Sequence, residues 1–308
     1  MCTCIMIKNI NSYFGRNMDL DYSLNEKLIV VPRNFEINFK NKESIKNHYA
    51  FFGLGIVSNN YPLLAEGSNE FGLSIATLNF PNNAYYNNLS NRKENIAPYE
   101  LSLYILATCK TIKDVKKLLK SINITNIHFS KQYTLTPVHF MVSDKNNSLV
   151  IEPIKNSLNV FDNPYNVLTN NPPFNYHIEN IKNYMNLSIE DPKNKFLKKL
   201  NIKPYSYGQG LIGLPGDYSS SSRFIKALFV KENIVFENSE INDFFTCLES
   251  VKMIKGTVKT HNGLEYTRYS CCIDTTNCIY YYKKYNDNNI YVENLFENAL
   301  DKCFLIVK

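Results

Sequence analysis

The chain has 308 residues, 44% of them hydrophobic and 20% charged, enough to bury a large core in one large or two small domains. The formal net charge is +6, but the densest basic patches are the pairs Lys116-Lys117, Lys198-Lys199 and Lys283-Lys284; they read as solvated faces, and neither a basic stripe nor a reader motif for nucleic acid is present. No secretory leader and no long apolar run accompanies the eight cysteines, and no C-x-x-C or zinc spacing links them. The expectation is therefore a cytoplasmic protein with reduced thiols, no membrane association, no metal and no cofactor.

In chain order, Cys4 to Lys8 reads as a strand and Tyr13 to Arg16 as its hairpin partner across Asn11-Ser12. Lys27 to Val31 is a second strand closed by Pro32, and Tyr49 to Val57 and Phe71 to Leu78 are glycine-punctuated strands flanking a turn-rich stretch, Tyr61 to Glu70. Pro98 to Cys109 reads as a helix. A second begins at the capping-box-like Thr111 to Asp114, with Val115, Leu118, Leu119 and Ile122 at helical spacing. Val138 to Ser143, Ser148 to Pro153 and Ser157 to Phe161 form an antiparallel meander. Phe174 to Met185, Ser221 to Asn233 and Ile241 to Val251 are helices, and Leu264 to Ile273, Cys278 to Tyr285 and Ile290 to Val292 return to strand. Strand blocks alternate with helix blocks without regular βαβ alternation, which excludes a doubly wound parallel sheet and favours antiparallel sheets covered by helices in one α+β domain.

The most informative stretch is the beginning. Removal of Met1 would leave Cys2 with a thiol and a free α-amine on one residue, and an α-amine titrating at about 7.7–8.0 can take a proton from a thiol at about 8.5. Taken alone, a cysteine at position 2 is much more often an ordinary small buried hydrophobe. Within a strand Cys2 and Cys4 share a face. If the first two strands pair, Arg16 and Asp19 reach the N-terminus, where Arg16 would favour a thiolate and Asp19 would orient the amine; the alternative is an ordinary ion pair on a hairpin. Leu78-Asn79-Phe80-Pro81 and Leu168-Thr169-Asn170-Asn171-Pro172 end strands in asparagine, either as turn chemistry or as oxyanion donors. Ser219 to Ser222 caps a helix whose first turn holds Arg223 against the dipole, which calls for an anionic partner. Gly208-Gln209-Gly210-Leu211-Ile212-Gly213 matches G-x-G-x-x-G, but no strand precedes it and no helix starts within it, so it reads as a connection. None of the five histidines has a pattern that singles it out as a base.

Six stretches carry a resemblance when taken together: MCT, FGRNMDLDYSLNEKLIVVPRNF, NEFGLSIATLNFP, VLTNNPPFNYH, GQGLIGLPGDYSSSSRF and YYYKKY. In this order, over essentially the whole chain, they resemble the choloylglycine hydrolase family of conjugated bile acid hydrolases and penicillin V acylases. The resemblance implies an N-terminal nucleophile hydrolase, an αββα sandwich of two antiparallel sheets between helical layers. It implies catalytic roles for Cys2, Arg16, Asp19, Asn79, Asn170 and Arg223, and an apolar pocket shaped by Met18, Leu24, Ala65 and Phe80. Asn79 resembles the bile acid hydrolases, where penicillin acylases tend to carry tyrosine. Cys4 departs from the small residue usual there, and Thr125 to Pro137 departs most, as a substrate-facing loop would.

The function implied is hydrolysis of glycine- or taurine-conjugated bile acids, small amphipathic anionic amides, with no cofactor. The alternatives are the same machinery on penicillin V or N-acyl homoserine lactones, and, from another class, a non-catalytic binder of amphipathic anions. The resemblance also implies a homotetramer, with Met185 to Tyr207 as the candidate intersubunit stretch.

Overall fold

The structure, a computed structural model, describes all of residues 1–308 except Asn238 and Asn288. In the first half of the chain the strands are β1 (Cys2–Lys8), β2 (Ser12–Leu20), β3 (Lys27–Val31), β4 (Phe51–Ser58), β5 (Tyr61–Leu64), β6 (Glu66–Asn69), β7 (Ser74–Asn79), β8 (Glu94–Ile96), β9 (Ile122–Ile124), β10 (Val138–Ser143) and β11 (Ser148–Ile154). They are followed by β12 (Ser157–Asp162), β13 (Val167–Leu168), β14 (Val258–Lys259), β15 (Leu264–Asp274), β16 (Ile279–Lys284), β17 (Tyr291–Asn294) and β18 (Ile306–Val307). The helices are α1 (Pro98–Thr108), α2 (Ile112–Leu119), α3 (Phe174–Ile181), α4 (Ser220–Asn233) and α5 (Glu240–Glu249).

Among the described residues the strands form two large antiparallel sheets and one small parallel pair. The first sheet runs β13-β1-β2-β15-β16-β17 with β14 on β15; the second runs β12-β11-β10-β7-β6-β4-β3-β18 with β5 on β4. Helices α3, α4 and α5 cover the outer face of the first sheet, α1 and α2 that of the second, and β1 and β2 face β7 across the middle. This is the αββα sandwich.

Residue alternation explains the layering. On β3, Leu28 and Val30 point between the sheets while Ile29 and Val31 point at α1 and α2; Phe52 and Phe51 on β4, and Ala76 and Ile75 on β7, divide the same way. A strand covered on both faces has to be apolar on both, which is why β3 reads as an unbroken hydrophobic run. The capping box at Thr111 and Asp114 starts α2 as expected. Two expectations fail. The turn-rich stretch 61–70 contains the strands β5 and β6, because Tyr61 to Leu64 pairs with β4 and Glu66 to Ser68 pairs with β7 despite its polar residues. Ile122 leaves the helical pattern to pair in β9, since Lys120 ends α2.

Candidate active site

The β1–β2 hairpin sets Cys2 opposite Met18 and Cys4 opposite Arg16. Gly15 is needed here: a Cβ would lie 2.0 Å from the Cys271 carbonyl oxygen of β15, so only glycine lets β2 and β15 close around Arg16. Alternation then sends Arg16 and Met18 into the space between the sheets, and Asn17 toward α5, where its side-chain amide donates to the Leu248 carbonyl at 2.8 Å. Asp19 shares the face of Asn17. The start of β1 is thus flanked by charged side chains on both faces of one sheet.

On the inner face, the Arg16 guanidinium donates to Cys2 Sγ, to Met18 Sδ at 3.4 Å and to the Thr77 carbonyl at 2.5 Å. Burial works against this charge, but the Cys2 sulfur and the Glu66 carboxylate outweigh it and raise the proton affinity of Arg16 above its ordinary value. On the outer face, Arg223 lies in the first turn of α4, where the dipole opposes a cation. It donates to the Cys2 carbonyl at 2.5 Å, to Thr3 Oγ1 at 2.6 Å and to Asn170 Oδ1 at 2.8 Å. Its anionic partner is Asp19, 3.9 Å away. Burial pulls the Arg223 proton affinity below its ordinary value, opposed by Asp19 and Cys2. Asp19 Oδ1 accepts from Thr267 Oγ1 at 2.6 Å, while its buried Oδ2 has no hydrogen-bond partner.

Asn170 joins these elements. Its Oδ1 accepts the Cys2 N–H at 2.8 Å, and one hydrogen of its Nδ2 is taken by the Asn79 carbonyl at 2.8 Å. A side-chain amide carries two donors, so the second remains for another acceptor. Sequence reasoning missed the layer that holds Asn170. Ser220 Oγ accepts its N–H at 2.8 Å, His177 Nε2 donates to its carbonyl at 3.0 Å, and the buried His139 bridges Glu152 to the Thr169 carbonyl. These histidines lie at separate points of the chain, so only the fold reveals their shared role.

Two cavities adjoin, sharing Leu20, Tyr22 and Asn79 in their walls, and Cys2 lines the first. One, of about 240 Å³, is largely apolar and is lined by Cys2, Met18, Leu24, Ala65, Asn79 and Phe129 among others. The other, of about 650 Å³, is lined mostly by polar residues, among them Asn79, Asn170, Asn171, Ser220 and Glu265, beside Met1. The Met1 ammonium contacts Glu265 and donates to the Asp19 carbonyl at 2.8 Å, and burial lowers its proton affinity below the ordinary value. Met18, Leu24 and Ala65 therefore line the apolar cavity. Phe80 does not: it is fully buried and stacks on His139 at 4.3 Å between ring centroids, so its ring is used in packing. The divergent stretch 125–137 contributes Phe129, Tyr133, Thr134, Leu135 and Thr136 to the lining.

An αββα sandwich whose first strand presents a cysteine between two buried arginines and a strand-end asparagine is the architecture of an N-terminal nucleophile hydrolase. The description "linear amide C–N hydrolases, choloylglycine hydrolase family" matches residues 2–308, and the chain belongs to that family. It is 41% identical to the bile salt hydrolase/transferase of Lactiplantibacillus plantarum, over 99% of this chain and 96% of that protein. The bile salt hydrolase/transferase of Clostridium perfringens is 36% identical over 98% and 94%. A crystal structure of a mutant conjugated bile acid hydrolase from Clostridium perfringens superposes with a TM-score of 0.93 at 35% identity, covering 100% of this chain and 96% of that chain. The penicillin V acylase of Agrobacterium tumefaciens shares the fold, with a TM-score of 0.78 at 20% identity over 98% of this chain and 88% of that one.

Proposed function

We propose that the chain is a bile salt hydrolase that cleaves glycine- or taurine-conjugated bile acids through Cys2 after loss of Met1. The observation that carries this reading is the position of the Cys2 sulfur, held by Arg16 in the wall of the apolar cavity, which shares Asn79 with a second cavity lined by Asn170. The steroid fills the apolar cavity and the amine portion lies in the polar one.

The new α-amine of Cys2 takes the place of the backbone N–H beside Asn170 Oδ1, with Asp19 Oδ2, which accepts no hydrogen bond, to orient it. It removes the thiol proton, and the thiolate attacks the amide carbonyl. The oxyanion receives the free Nδ2 hydrogen of Asn170 and the side-chain amide of Asn79. The C–N bond breaks as the α-ammonium protonates the departing amine, leaving a thioester. The α-amine then takes a proton from water, the hydroxide adds to the thioester carbonyl, and the thiolate leaves. An amine in place of water would complete acyl transfer. Arg223 holds the Cys2 carbonyl and Asn170 in register throughout, and no step calls for a metal or cofactor.

Asn79 rather than tyrosine favours bile acid amides over penicillin V. The test is release of glycine or taurine from conjugated bile acids, beside phenoxyacetate release from penicillin V, by the wild type and by Cys2→Ala and Cys2→Ser. Full activity in Cys2→Ala, or Met1 retained in the intact mass of active protein, overturns the mechanism. Faster turnover of penicillin V overturns the substrate. A reducing cytoplasm suits a nucleophile that must stay a thiol and eight unpaired cysteines; among the described residues no helix is long and apolar enough to cross a membrane.

A homotetramer is part of the same proposal. Met185, Phe196, Tyr205 and Tyr207 are each at least 80% exposed on the long irregular stretch after α3, a concentration of apolar surface suited to an intersubunit contact. A monomer by light scattering would remove this element.

A further inference from the structure

Glu66 has no part in the steps above, yet it is a fully buried carboxylate at the centre of the molecule. It lies on β6 of the second sheet, and its partners all come from the first. Tyr280 of β16 donates to Oε1 at 2.6 Å, Tyr269 of β15 donates to Oε2 at 2.9 Å, and Arg16 Nη1 of β2 lies 3.5 Å from Oε2. The side chains of Glu66 and Arg16 are both 0% exposed. A buried ion is tolerated only with paired charge and hydrogen bonds; Glu66 has both, and they oppose the burial that raises its proton affinity above the ordinary carboxylate value. Tyr269 and Tyr280 are themselves buried, which pushes their proton affinities well up and keeps both hydroxyls as donors.

The charges around Cys2 group in pairs. Arg223 faces Asp19 on the outer side of the sheet, and Arg16 faces Glu66 on the inner side. Without Glu66 the Arg16 cation would have the Cys2 sulfur as its anionic partner. Other titratable groups around Glu66 are Cys4 of β1, Cys271 of β15 and Glu26 of the 21–26 connection. Around Cys2 they are Met1, Cys4, Tyr22, Asp19 and Arg223. None of these donates a hydrogen bond to the Glu66 carboxylate or stands between it and Arg16; that place belongs to the two tyrosines and the guanidinium.

We propose that Glu66, held by Tyr269 and Tyr280, is a positioning residue for the reaction: it fixes the Arg16 guanidinium against the Cys2 sulfur and takes up part of its charge. The carboxylate thereby keeps Arg16 from holding the thiolate so strongly that it attacks poorly. This rests on Cys2 as nucleophile, and the test separates the two ideas because alkylation needs no substrate.

The experiment measures the rate of iodoacetamide addition at Cys2 against pH, read by peptide mass, for the mature wild type, Glu66→Gln, Glu66→Asp and Tyr280→Phe. Steady-state kinetics on a glycine-conjugated bile acid and thermal midpoints accompany it. If wild-type Cys2 alkylates no faster than Cys303, the nucleophile reading fails. Given a reactive Cys2, removal of the carboxylate charge leaves Arg16 to favour thiolate, so Glu66→Gln shifts the alkylation midpoint to lower pH by on the order of one unit. Its kcat falls on the order of tenfold to a hundredfold, the scale of a misplaced group at a reacting centre, with little change in KM. Glu66→Asp, which keeps the charge, stays nearer the wild-type midpoint. A folded Glu66→Gln whose midpoint is unchanged or moved to higher pH overturns the proposal. Should Glu66→Gln fail to fold, Tyr280→Phe is the deciding variant: a smaller shift to lower pH supports the proposal, and no shift overturns it.

Discussion

The two faces of the second sheet are packed by different rules. Its outer face meets α1 and α2 through Ile29, Val31, Phe51, Ile75, Phe140, Ile105 and Val115, an almost wholly apolar layer. Its inner face meets the first sheet through Leu28, Phe52, Leu78 and Met141, but that layer also carries Arg16, Glu66 and Cys2, and polar atoms continue past β1 to Asp19, Arg223 and Asn170. The apolar layer draws its stability from area removed from water, which any well-fitting hydrophobe can supply. The polar layer stands only because each cation has an anion and Asn170 is held through its N–H, its carbonyl, its Oδ1 and one Nδ2 hydrogen, so it tolerates little substitution. One sheet separates a layer that holds the fold from a layer that does chemistry.

The sharpest way to test that division is to break the outer arginine pair. Arg223→Met leaves Asp19 buried without its cation and takes one donor each from Asn170 Oδ1 and the Cys2 carbonyl. The expected cost is about 3–5 kcal/mol of stability and a loss of kcat on the order of a thousandfold, since Asn170, the proposed oxyanion donor, is misplaced with it. Urea unfolding and amide hydrolysis measure the two effects. Activity within tenfold of wild type would show that Arg223 does not organise the site. In the apolar layer, Leu101→Ala on α1, at 0% exposure, should cost about 2–5 kcal/mol, with activity per folded molecule unchanged. A proportionate fall in kcat would erase the distinction between the layers.

His177 offers a test within the polar layer. Burial, the largest influence, lowers its pKa from 6.5 to about 4, and its Nε2–H is held on the Asn170 carbonyl. The folded protein thus keeps the ring neutral where the unfolded chain protonates it. A depressed folded value means that stability is intact above pH 6.5 and is lost as pH falls from there toward about 4. The loss totals about 3 kcal/mol, accumulating at about 1.4 kcal/mol per pH unit across that window. His177→Phe should flatten this part of the stability–pH curve by about one proton's slope. An unaltered slope would mean that the ring titrates normally.

How far the chain could be read depends on where each signal resides. Local chemistry was legible: the hairpin of β1 and β2, the meander of β10 to β12, the Thr111 cap and the serine start of α4 each need only neighbours in sequence. Cys2, Arg16, Asp19, Asn79, Asn170 and Arg223 came from motifs joined by resemblance, and the fold does gather them around one strand start. What stayed hidden depends on contacts distant in sequence. Glu66 sat in a stretch that looked like a turn, and only pairing with β7 makes it a strand residue aimed at tyrosines more than 200 positions away. His139 and His177 look alike in sequence, and their joint support of residues 169–170 exists only once β10 and α3 are placed. Phe80 was expected in the pocket from resemblance alone, and its stacking on His139 is a contact across to β10 that no neighbour in sequence announces.

The smallest expected effect concerns the one wall that neither layer supplies. Phe129 comes from the irregular stretch after β9, closes the apolar cavity, and packs against Tyr61, Tyr99 and Tyr133 at 5.4 to 6.2 Å between ring centroids. It touches none of the charged pairs. Phe129→Ala should therefore weaken substrate binding without altering bond breaking. Loss of part of an aromatic wall is worth about 1–2 kcal/mol, about a fivefold to thirtyfold rise in KM at nearly constant kcat. The rise should be greatest for the most apolar steroid and least for the most hydroxylated, because only the apolar portion relies on that wall. A fall in kcat at constant KM would place Phe129 in the polar layer's business, and the boundary between fold, chemistry and specificity would have to be redrawn through this loop.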